Sequence, residues 1–146
     1  MEEGNCTDIC NAFFSVAVVG EGEHGLNWCE HVAHRLPSIL EQSSVEDVGI
    51  VVRGAAALVR KDCVAGRTLA DGVFECVREH HLTRVVQHGT AGEIAMTLAC
   101  FVDAGFKDVA LCEMVGAMGA RIVLDEKDRG VNVALVARSL RKVGYR

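Results

Sequence analysis

The chain has 146 residues, half of them apolar and 24% charged, with a formal net charge of −5. That length fits one domain or two very small ones, the apolar share supports a real core rather than disorder, and the negative balance argues against a nucleic-acid binder working through a broad basic face. No apolar run approaches a membrane span, the acidic start Met1-Glu2-Glu3 is not a signal peptide, and seven cysteines, an odd number without an export signal, fit a reducing, cytoplasmic compartment.

Residues 1–11 read as a flexible N-terminal segment and 12–146 as a single α/β domain. Ala12 to Gly20 is apolar and rich in valine, which predicts a first strand. Leu26, Cys29, Val32, Ala33, Leu36 and Leu40 form a helical stripe that Pro37 should kink or end. Asp47 to Val52 reads as a second strand, flanked by Ser43-Ser44 and Gly54. The stripe Leu69, Gly72, Val73, Cys76 and Val77 predicts a helix from Thr68 to His80. Leu82 to Val86 is the next expected strand, and Glu93 to Ala104 the next helix, stopped by Gly105. Val109 to Cys112 and Ala120 to Leu124 read as strands, and Asn132 to Lys142 as the closing helix.

Strands that are apolar throughout belong in sheets covered on both faces, and strand-helix alternation implies parallel pairing. The expected fold is therefore a three-layer, Rossmann-like α/β domain with a mainly parallel sheet of about five strands. A competing pattern aligns the segment from Gly54 with the segment from Gly116, placing Arg67 on Arg129 and Val73 on Leu135. That pattern implies a tandem strand-helix-strand-strand-helix duplication.

In open parallel sheets, ligands bind beyond the carboxyl ends of the strands. Two loops would meet there, Glu21 to Gly25 and Gln87 to Gly92, and both contain His-Gly. His88, His24 and Glu23 are the candidate proton-transfer groups, because imidazole and carboxylate exchange protons near neutral pH. Gly89, Thr90 and Gly92 could hold a phosphate on free backbone N–H groups, although Glu93 in the following first turn competes for the same dipole. Arg129 could end a strand at that edge and supply an anion-binding cation. His24, His88 and Cys63 are conceivable zinc donors but lack ligand spacing, so no metal is expected.

The stretch from Ser15 to Gly25 resembles the first strand and Asp-His-x-Gly turn of the ribose-5-phosphate isomerase B / galactose-6-phosphate isomerase family, with Glu23 in place of the aspartate. Asp62-Cys63-Val64 is similar to its Asp-Tyr-Pro segment, and Arg84 to Gly92 resembles its Cys-Gly-Thr-Gly loop, with His88 where that family's catalytic cysteine falls. The resemblance implies a Rossmann-like homo-oligomer acting on phosphorylated sugars through an enediolate, without a cofactor, and it places Asp62 in the substrate site. The expected function is thus binding of a small anionic metabolite, with sugar-phosphate isomerisation as the reaction if the protein is an enzyme. The alternative is a non-catalytic scaffold oligomer, since Ile94 to Leu140 also resembles a bacterial microcompartment shell domain.

Overall fold

The computed structural model describes residues 3–20, 22–61, 63–106, 138, 141 and 142. They form α1 (Glu3–Val19), α2 (Gly22–Ala33), α3 (Leu36–Glu41), α4 (Val45–Arg60), α5 (Val64–His80), α6 (Leu82–His88) and α7 (Ala91–Asp103). There is no strand among the described residues, so the Rossmann-like α/β sheet expected from the sequence is replaced by helices. The three expected strands at Ala12 to Gly20, Asp47 to Val52 and Leu82 to Val86 lie in α1, α4 and α6. Those at Val109 to Cys112 and Ala120 to Leu124 fall outside the described residues, as does the second half of the Gly54/Gly116 duplication. The first half of that duplication contains no strand either, since Gly54 lies inside α4.

The physical reason is visible in α1. Its buried residues are Cys6, Cys10, Phe13 and Ala17, spaced by three or four as on one helix face. Val18 and Val19, which suggested a strand, point outward at 50% and 75% exposure. The helical period appears only when Cys6 and Cys10, which lie in the segment expected to be flexible, are taken together with Phe13. In α4 the buried series Val48, Val51, Val52, Ala55 and Leu58 keeps the same period. Ser44, read as part of a strand flank, is its N-cap. The Ser44 hydroxyl accepts from the Asp47 backbone N–H (3.2 Å), and the Asp47 carboxylate accepts from the Ser44 N–H (3.3 Å).

The expected helix from Leu26 to Leu40 divides at His34-Arg35 into α2 and α3, with Pro37 in the first turn of α3. Proline is tolerated there because a first-turn N–H has no helical partner. The helix expected to end at His80 does so in α5, with His81 as the C-cap.

By their internal contacts the residues divide into two compact units, Met1–Thr83 and Arg84–Arg146. In the first unit α1 packs on α2 and on α4, and α5 packs on α4 and on α2. The ties between α1 and α4 run from end to end. The Thr7 hydroxyl donates to the Asp47 carboxylate (3.1 Å), Phe13 lies against Gly54, and the Lys61 ammonium donates to the Gly20 carbonyl. Arg53 also sits over the Phe14 ring, 5.2 Å from its centroid. The Thr7–Asp47 pair is 40 residues apart in sequence and the Gly20–Lys61 pair 41. Starts meet starts and ends meet ends, so α1 and α4 are parallel. Leu26 near the start of α2 likewise faces Gly66 near the start of α5. The unit is therefore two stacked helical hairpins, α1–α2 and α4–α5, related by a shift of 40 to 41 residues. That is the construction principle of helical-repeat proteins, in which each pair buries its apolar face on the next.

The second unit contains α7. Thr90 caps it through a reciprocal pair with Glu93: the Glu93 N–H donates to the Thr90 hydroxyl (3.2 Å) and the Thr90 N–H to the Glu93 carboxylate (2.8 Å). Gly105, at φ 94°, stops the helix. Its N–H bonds to the Val102 carbonyl and the Phe106 N–H to the Phe101 carbonyl, while the two phenyl rings meet edge-on at 5.6 Å. Asp103 pairs with Lys142 at 2.6 Å. Among the described residues, no helix is long and apolar enough to cross a membrane.

Candidate functional site

The candidate site of the first unit is a groove of about 600 Å³ between α2, α3 and α5. The hairpin stack creates it. α2 contributes Glu23, Leu26, Asn27, Glu30 and Ala33, and His34 follows at its end. α5 contributes Ala65, Thr68, Leu69, Gly72, Val73 and Cys76. Each series recurs every three or four residues over 11 positions, so the groove follows three turns of both helices, about 16 Å at the helical rise. α3 closes it with Leu36, Pro37 and Leu40.

The floor is apolar: Leu36, Leu40 and Val73 are all buried. The rim is polar, with Glu23, Glu30, His34 and Thr68 exposed. The Thr68 hydroxyl donates to the Val64 carbonyl one turn back (2.9 Å), so its proton is used within the helix. Gly72 widens the groove, because a Cβ placed there would meet nothing within 4 Å. Burial raises the Cys76 thiol above its ordinary pKa, and Glu79 and Glu41 add to the shift. The thiol is thus held neutral and poorly nucleophilic.

A second groove of about 580 Å³ lies between α1, α2 and α3, with Ile9, Ala12, Trp28, Val32 and Ile39 beside Asp8, His31 and Arg35. Trp28 is 38% exposed there.

Of the residues proposed from sequence, Glu23 lines the first groove. His24 follows it in the same turn of α2 and is exposed. Neighbours in sequence on a helix do not face each other, so the two do not converge. His88 is the exposed last residue of α6, and Gly89 is buried with its N–H donated to the Val85 carbonyl (2.7 Å). Thr90 and Gly92 belong to the start of α7, whose cap is occupied by the Thr90–Glu93 pair. The loops of His24 and His88 are therefore helix segments rather than strand exits, and the crevice that a sheet edge would form between them has no basis among the described residues. Asp62 and Arg129 lie outside the described residues. No group of three or more His, Cys, Asp or Glu among the described residues could hold a metal ion.

The sequence reading missed the groove's other lining residues as a site. Both helical stripes were legible, but nothing in either one announces that a second stripe lies beside it. The signal that joins them is the 40-residue spacing between Leu26 and Gly66. No family model matches this chain, and no curated protein or solved structure matches it either.

Proposed function

We propose that this chain is a helical-hairpin docking scaffold, which binds a partner in the groove between α2, α3 and α5. The observation that carries the reading is the groove itself: an apolar floor three turns long between two parallel helices, with polar groups confined to the rim. Stacked hairpins commonly present such extended surfaces, and a helix lying in an apolar groove is a recurring mode of peptide recognition. A reducing compartment such as the cytoplasm suits the six free cysteines among the described residues.

The test is a melting-temperature screen of the full chain against two panels: sugar phosphates, and short helical peptides with an uncharged polar face. A ligand of the native state raises the melting point. The scaffold reading expects shifts from peptides only. Cys76, which lines the groove and reacts slowly with iodoacetamide in the free chain, should then react more slowly still, while the rate at Cys63, which lies outside the groove, should not change. A shift with sugar phosphates and none with peptides would replace it by metabolite binding.

A further inference from the structure

The groove has an electrostatic sign as well as a shape. Glu23 and Glu30 stand seven residues apart on α2, two turns along one face, and both line the groove at its exposed rim. Glu41 ends α3, next to Leu40 of the floor, and Glu79 lies one turn beyond Cys76 on α5. Both are near enough to Cys76 to raise its thiol pKa together with burial, which is the larger cause. Among the described residues no ion pair neutralises Glu23, Glu30 or Glu41, and Glu79 has only the neighbouring His80 imidazole at 3.7 Å. Of the groove's lining residues only His34 can carry positive charge. The second groove differs, with Arg35 and His31 set against Asp8.

We infer that the occupant of the α2–α3–α5 groove is a basic amphipathic helix, its apolar face on Leu36, Leu40 and Val73 and its lysines or arginines opposite Glu23 and Glu30. This rests on the docking reading above and adds the chemistry of the partner. The groove's length accommodates about three turns, so the occupant's apolar anchors recur at i, i+3, i+4 and i+7. Rim carboxylates contribute little each, but they steer a cation in and penalise an anion. The same rim disfavours acidic helices and anionic lipid surfaces.

The experiment uses two synthetic helices with identical leucine positions, one with lysines and one with glutamates on the polar face. Their binding to the full chain is followed by fluorescence anisotropy. The lysine peptide should bind about tenfold more tightly than the glutamate peptide, the size of two or three exposed ion pairs. The double variant Glu23→Gln/Glu30→Gln should remove most of that preference. Gly72→Trp fills the groove from an exposed position with open space around its Cβ, and should abolish binding of both peptides. Gly72→Ala, which adds one methyl, should retain binding and shows that the helix tolerates a side chain there. Equal affinity for the two peptides, or a preference that survives the double variant, overturns the charge inference and leaves the groove standing. Binding of neither peptide, or binding unaffected by Gly72→Trp, overturns both.

Discussion

Two glycines in one helix make a sharp test of the hairpin stack. Gly49 and Gly54 both lie within α4, where glycine costs about 1 kcal/mol relative to alanine because its backbone loses more freedom on folding. Their surroundings differ. A Cβ at Gly49 would meet nothing within 4 Å. A Cβ at Gly54 would stand 2.9 Å from both Cδ1 and Cε1 of Phe13 and 3.2 Å from the backbone Cα of Phe14. Phe13 is fully buried and has no room to swing away, so the two helices would have to separate. Gly49→Ala should therefore stabilise the first unit by about 0.5 to 1 kcal/mol. Gly54→Ala makes the same propensity gain but incurs an overpacking cost of about 1 to 3 kcal/mol, for a net loss of about 1 kcal/mol. Urea unfolding followed by far-ultraviolet circular dichroism separates the variants by about 2 kcal/mol, or several degrees in Tm for a chain of this size. If Gly54→Ala stabilises as Gly49→Ala does, α1 and α4 do not approach at that glycine and the parallel stack is wrong.

The buried carboxylate of Asp47 caps α4 and accepts from Thr7, so Asp47→Ala should lower stability by about 1 to 2 kcal/mol in urea, with Asp47→Asn retaining part of it. Burial, with Asp47 adding, pushes the Cys10 thiol from 9.0 up to about 11, against a lowering hydrogen bond with Ser43. The folded state keeps that proton longer than the unfolded state, so stability is unaffected below pH 9 and falls as pH rises toward 11, by at most about 3 kcal/mol. Cys29 and Cys76 shift the same way, so Cys10→Ala should make the alkaline fall in urea midpoint shallower without removing it; an unchanged slope would reject the assignment. In the second unit, Thr90→Ala breaks the reciprocal cap of α7 and should cost about 1 kcal/mol, read as faster amide exchange in the first turn of that helix.

Segments with strong punctuation were legible in the sequence. α7 is anticipated by its apolar stripe and Gly105, and α5 to its last residue, because a stripe and a stop are local chemistry; their caps, Thr90 and Cys63, are not anticipated. Runs dense in valine were not. In α1, Val16, Val18 and Val19 lie off the face that Cys6, Cys10, Phe13 and Ala17 bury, and packing against α4 overrides their strand preference. In α4 the run Val48 to Val52 is helical because the Ser44–Asp47 cap fixes its start and its buried face meets α1. Reading those segments as strands turns the His-Gly loops into sheet exits, whereas His24 lies in α2 and His88 ends α6. Among the described candidates Glu23 alone lines the groove, where it stands at an acidic rim and does not converge with His24. Leu69, Gly72, Val73 and Cys76 were all named in the sequence as one face of a helix, but only contact with α2 makes that face a wall.

The tie between the two hairpins is a translation, with no twofold axis relating them. A head-to-tail relation has no internal closure, unlike a self-complementary pair. In such an architecture each further block of some 40 residues would reuse the geometry of this one junction. An added block would leave this junction intact, whereas an insertion of one or two residues between Asp47 and Gly54 would keep Asp47 opposite Thr7 but throw Gly54 and Lys61 out of step with Phe13 and Gly20.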